Sequence, residues 1–141
     1  MSGAKIPYPY SVMKAIGRHG APSSVAILAD KPFAVRSFGA IRARIYGLAN
    51  IRTSEAVDAL VSMAQLGSPA PGEAFVFMED YRTALRAMTG IDQGISKIEW
   101  DAWWRKNKDT FEVPAERPWL PELLALRWDD FWGEPYGVGE P

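Results

Sequence analysis

Between Tyr10 and Gly67 the apolar residues fall at helical spacing, most clearly Val35, Phe38, Ile41, Ile45 and Leu48, which step by three and four along one face. That face predicts a helix over 33–49. Pro32 sits where a first-turn proline is tolerated, and Asn50 can take the left-handed conformation that ends a helix. After a loop over 50–53, a second stripe of Ala56, Val57, Leu60, Val61 and Ala64 predicts a helix over 54–66, capped by Thr53 or Ser54 and stopped by Gly67. Upstream, the same spacing gives helices over 10–18 and 23–29 joined by a loop over 19–22. The breaker-rich run 67–72 reads as a linker, and Phe77, Tyr81, Ala84, Leu85 and Met88 place a helix over 73–89 that Gly90 stops. A turn over 89–94 then leads into a short tryptophan-dense helix over 98–108. Pro114, Pro118 and Pro121 make an extended connector, and a last helix over 121–132 ends at Gly133, leaving 134–141 as a flexible tail.

The chain also resembles itself. Residues 24–28 (Ser-Val-Ala-Ile-Leu) align with 56–60 (Ala-Val-Asp-Ala-Leu), and 15–17 (Ala-Ile-Gly) with 45–47 (Ile-Tyr-Gly), so 10–66 reads as two copies of a helical hairpin. A hairpin amphipathic on both members cannot bury its faces alone, so copies stack and share a core. Two copies leave an end of the stack uncovered, and residues 73–133 are the candidate cap. The expected fold is therefore a single all-α domain over 1–141: a short α-solenoid-like stack of antiparallel helix pairs with tryptophan-rich capping helices.

Two stretches carry a resemblance to bacterial HEAT-repeat-containing proteins. One is Val35-Arg36 through Ile41 to Leu48, followed by Ala56-Val57 and Leu60. The other is the block Leu85, Thr89-Gly90, Trp100, Trp103-Trp104, Asn107-Lys108 and Phe111, which looks like the segment that often closes such arrays. The resemblance implies stacked hairpins acting as a non-catalytic scaffold for a protein partner, and it implies that Arg36 ties neighbouring repeats together.

Composition narrows the chemistry. With 48% apolar and 23% charged residues the 141-residue chain has the makings of one folded core, and with no cysteine it has neither disulfides nor thiolate metal sites. A single histidine, His19, cannot build a paired-histidine metal centre and reads as a solvated loop residue. Neighbouring carboxylates such as Glu79-Asp80, Glu99-Asp101 and Asp129-Asp130 point to different sides of a helix. No phosphate-cradling glycine pattern or nucleophile elbow appears, so no catalytic residue, metal or cofactor is expected. An enzyme would have to assemble its site from residues that only the fold brings together.

Charge is divided unevenly: residues 1–72 hold 8 Lys/Arg against 3 Asp/Glu, and residues 73–141 hold 8 against 14, making the halves +5 and −6. Such an imbalance either marks a surface for a charged partner or lets the halves attract one another. The basic residues Lys14, Arg18, Arg42, Arg44 and Arg52 are the candidate partner-binding set, for an acidic protein or for phosphates. Binding nucleic acid through this half is the alternative to the protein scaffold, and it would weaken as salt rises. The tryptophans at 100, 103 and 104 with Phe111, and those at 128 and 132 with Leu124 and Phe131, predict two aromatic helix faces pressed together. No signal-peptide-length apolar run occurs over 1–30 and no run is long enough to span a bilayer, so cytoplasm is the default compartment and no membrane role is expected.

Overall fold

The caps that start and stop each helix set the architecture. The computed structural model describes residues 10–32, 37–66 and 77–140, and among these the regular structure is entirely helical. Helix α1 spans Tyr10–His19; a 3₁₀ turn over Pro22–Ser24 runs into α2, Val25–Ala29. Next come α3, Phe38–Ile51; α4, Ser54–Leu66; α5, Met78–Thr89; α6, Lys97–Asn107; and α7, Glu122–Trp132. Side-chain oxygens of Ser37, Thr53 and Ser96 accept from the amides of Ala40, Ala56 and Glu99, satisfying amides that have no partner within the first turn. Gly90 and Gly133 take positive φ and end α5 and α7 where the sequence places those stops.

The helices pack in alternation. α1 lies on α3, α3 on α5 and α5 on α7, while α2 lies on α4 and α4 on α6. Their shared core includes Leu28, Ile45, Leu48, Val57, Leu60, Leu85 and Met88, all shielded from solvent. α1 and α3 cross closely: a Cβ built on Gly17 would stand 2.4 Å from the Gly47 Cα. The two glycines that align as equivalent positions of a repeat are thus in direct contact. No helix among the described residues is long and apolar enough to cross a membrane.

Three expectations change in the structure. Ser37, five residues beyond Pro32, caps α3, because its hydroxyl supplies the acceptor that a proline lacks. The left-handed residue ending α3 is Arg52 (φ 58°, ψ 49°) and not Asn50. A non-glycine residue is strained there, and hydrogen bonds from its guanidinium to Ala87 O (2.9 Å), Pro114 O (2.6 Å) and Glu116 O (3.2 Å) hold it. Finally, the expected tail is anchored at Tyr136, which is 5% exposed; its amide donates to Asp129 Oδ1 and its hydroxyl to Pro118 O, both at 2.6 Å. The linker over 67–72, the first residues of the helices expected over 33–49 and 73–89, and Arg36 lie outside the described residues.

Five of the six tryptophans form two separate networks among the described residues. Trp100, Trp103, Trp104 and Phe111 touch ring to ring, and Trp104 Nε1 donates to Asp58 Oδ1 on α4 at 2.8 Å. Trp128, Phe131, Trp132 and Tyr136 gather instead around Tyr46 of α3, with Phe131 stacked on that ring at 4.8 Å. The two aromatic faces therefore cover different layers and do not press against each other: α6 closes on α4, and α7 closes on α3 and α5.

Candidate functional site

The five candidate partner-binding residues do not converge on one patch. Four of them reach the C-terminal ends of other helices, where the last carbonyls have no intrahelical partner and the dipole favours a cation. Lys14 Nζ donates to Phe131 O at 2.8 Å and Arg18 Nη2 to Trp132 O at 3.1 Å, both at the end of α7, and Arg18 Nη1 pairs with Glu134 at 2.9 Å. Arg44 Nη1 donates to Ile27 O (3.3 Å), Leu28 O (2.7 Å) and Asp30 O (2.7 Å) at the end of α2. Arg52 binds Ala87 O in the last turn of α5. Burial lowers both the Arg44 and Arg52 guanidinium groups from their ordinary value; at such high starting values they stay charged at neutral pH. Asn50 supplies the matching cap for α1, donating to Gly17 O (3.0 Å) and Arg18 O (3.3 Å).

The fifth, Arg42, leads to the groove that is the candidate site. It opens between α5 and α7 with α3 beneath, encloses about 970 Å³, and collects Glu79 and Asp80 from α5 with Glu122, Arg127 and Asp130 from α7. At its floor Asp80 is only 4% exposed. The Tyr46 hydroxyl donates to Asp80 Oδ1 at 2.6 Å, and Arg42 Nε and Arg127 Nη1 approach the same oxygen at 3.5 and 3.7 Å. Among the described residues no donor reaches Oδ2. Burial pushes the Tyr46 phenol well above its ordinary value, and the adjacent Asp80 charge adds to the rise, so this hydroxyl keeps its proton and acts as a donor. Burial pulls the Arg42 guanidinium down, but Asp80, Tyr46 and Asp130 outweigh it and the group lies above its ordinary value.

The lip of the groove is different in character. Leu123 and Leu126 are 77% and 54% exposed, one helical turn apart on α7. Arg82 on the α5 side also lines the groove and reaches Asp92, donating through Nε at 3.1 Å and Nη2 at 2.8 Å, while its Nη1 stands 3.8 Å from Glu79 Oε2. Arg82 holds the Asp92 carboxyl down to about 2, with the Gly94 amide and Arg86 assisting against partial burial. The paired carboxylates divide as helical geometry requires in one case and not in another. Asp129 takes the Tyr136 amide while Asp130 faces Arg42 at 3.7 Å, but Glu79 and Asp80 both line the groove, one at the rim and one at the floor. His19 is exposed as the last residue of α1, and among the described residues no group of three metal-ligating side chains gathers.

Sequence reasoning takes Asp80 only as half of the Glu79-Asp80 pair, on a solvated helix face, and passes over Leu123 and Leu126. Signals for all three were present. Asp80 falls three residues after Phe77 and four before Ala84, on the stripe marked for burial, so it is a carboxylate in an apolar row. Leu123 and Leu126 fall off the row of Leu124, Trp128 and Phe131, so they are apolar residues on the polar side of α7. No protein-family model, curated protein or solved structure matches the chain.

Proposed function

We propose that this protein is a non-catalytic scaffold of HEAT-like helical hairpins that presents the groove between α5 and α7 to a protein partner. The observation that carries the reading is the pair Leu123 and Leu126, standing in solvent at the lip of a charged groove. Exposed leucines beside polar groups give the mixed surface that recognition sites use: an apolar centre to desolvate and a charged rim to set orientation. The succession of α1 on α3, α3 on α5 and α5 on α7, and of α2 on α4 and α4 on α6, with chain neighbours α2 to α5 also packed on one another, supports a stack of hairpins. Nucleic-acid binding gains no such support, since Lys14, Arg18, Arg42, Arg44 and Arg52 are already engaged within the fold.

The test is affinity capture from the source cells with the intact chain, a Leu123→Gln/Leu126→Gln variant and an Ile98→Gln variant, since Ile98 is equally open to solvent on α6. A partner retained by the parent and by Ile98→Gln, and lost by the double variant, is the expected result. A partner held equally by all three would remove the groove from the reading.

A further inference from the structure

The proposed docking surface has a charge that selects its occupant. Four carboxylates line it, from Glu79, Asp80, Glu122 and Asp130, against the guanidinium groups of Arg42, Arg82 and Arg127. Arg82 is drawn to Asp92, which Arg86 shares, and its Nη1 also stands 3.8 Å from Glu79 at the rim, so four negative charges face three positive ones and the groove is left at −1. The charges are also layered. Asp130 is 76% exposed on its side chain, against 44% for Arg127, 38% for Glu79 and 26% for Arg42. Glu122, also exposed, forms no ion pair among the described residues. A partner therefore meets the open Asp130 and Glu122 carboxylates together with Leu123 and Leu126, with Arg127 beside them.

Resting on the reading of this groove as a docking surface, we infer that its occupant is a basic amphipathic peptide segment of a partner protein. Its apolar side chains lie on Leu123 and Leu126, and its ammonium or guanidinium groups meet Glu79, Glu122 and Asp130. The floor of the groove adds a further acceptor. Asp80 is buried at the floor with Oδ1 crowded by Tyr46, Arg42 and Arg127, while Oδ2 receives no donor from the described residues and is left as an acceptor for a hydrogen-bond donor entering from the groove. An acidic segment would place its charges against Glu79, Glu122 and Asp130, a repulsion that selects against it.

The experiment is fluorescence anisotropy with three labelled amphipathic peptides of one length, built from leucine with lysine, glutamine or glutamate. The intact chain should bind the lysine peptide, increasingly weakly as salt rises, and should not bind the glutamate peptide. The triple variant Glu79→Gln/Glu122→Gln/Asp130→Asn should weaken lysine-peptide binding roughly tenfold or more, as should Leu123→Gln/Leu126→Gln. A control of equal charge change away from the groove, Glu99→Gln/Glu112→Gln/Glu116→Gln, should bind like the parent. Circular dichroism checks that each variant is helical, and Glu122→Gln alone, which breaks no ion pair seen here, should weaken binding in the same direction. Equal weakening by the two triple variants would reduce the effect to general attraction and overturn the inference, as would equal binding of the glutamine peptide. Sedimentation showing self-association abolished by Leu123→Gln/Leu126→Gln would make a second copy of the chain the occupant and overturn it too. A captured partner lost with the leucines while peptide binding ignores charge would leave the scaffold reading standing and remove only this step.

Discussion

Replacing Gly17 by alanine sets two well-calibrated effects against each other. Glycine inside a helix is about 1 kcal/mol less favourable than alanine, so propensity alone predicts that Gly17→Ala stabilises the protein. The crossing predicts the reverse. The new Cβ would lie 2.4 Å from the Gly47 Cα, whereas carbon atoms in contact sit about 3.5–4.0 Å apart, a shortfall of about 1 Å or more. The obstructing atom is backbone, so no rotamer change relieves the clash and α1 must move as a body. That movement disturbs the buried Met13 and the bonds from Lys14 to Phe131 O and from Asn50 to Gly17 O. Overpacking costs about 1–3 kcal/mol and each of the two weakened hydrogen bonds about 1 kcal/mol, so after subtracting about 1 kcal/mol for propensity the net loss should be about 2–4 kcal/mol. Urea unfolding followed by circular dichroism measures it, with Gly39→Ala as comparison. A Cβ at Gly39 meets only the edge of the Tyr10 ring at 3.2 Å, which can turn away, so that variant should be close to neutral. An unchanged or raised midpoint for Gly17→Ala would refute the crossing as the reason for glycine at this position.

Two further expectations concern the groove and the turn beside it. Tyr46→Phe removes the hydroxyl that donates to the buried Asp80 at 2.6 Å, and should cost about 1–3 kcal/mol in denaturant unfolding; a cost near zero would show that the arginines alone satisfy that carboxylate. Asp92 has a carboxyl held at about 2 against an ordinary 3.8, so its contribution is fully present above about pH 4 and is lost as pH falls from there towards 2. Discounted for its partial exposure, the contribution is on the order of 1 kcal/mol, and Asp92→Asn should lower stability at neutral pH by that amount and flatten the acid limb of a stability-versus-pH profile. An acid limb unchanged by the substitution would assign the loss to other carboxylates.

The helices were legible in the sequence because burial imposes a period that needs no partner to be identified. The row of Val57, Leu60, Val61 and Ala64 marks α4 from Ser54 to Leu66, and Gly90 and Gly133 mark two ends through a conformation that glycine reaches without strain. Boundaries shifted where a tertiary contact outweighed a local preference. Asn50 is the better left-handed residue, yet its side chain is drawn to the carbonyls of Gly17 and Arg18, and Arg52 takes the strained conformation with three carbonyl acceptors to hold it. The burial of Tyr136 had no local signal, since its partners Asp129 and Pro118 only meet it once α7 has formed.

What the basic residues reach for is illegible for a related reason. Backbone carbonyls carry no sequence signature, so nothing in the chain announces that Lys14, Arg18, Arg44 and Arg52 will close the ends of α7, α2 and α5. The charge imbalance between the halves nevertheless foretells the outcome. Lys14, Arg18, Arg42 and Arg52 all cross from the +5 half to the −6 half, and they do so through helix-end carbonyls as well as through Asp80, Asp130 and Glu134. A cation spent on a carbonyl neutralises no carboxylate. The second half therefore keeps much of its negative excess after the halves have docked, and the α5–α7 groove, where Glu122 has no ion pair among the described residues and Asp130 is open to water, is one place where that excess meets exposed leucine.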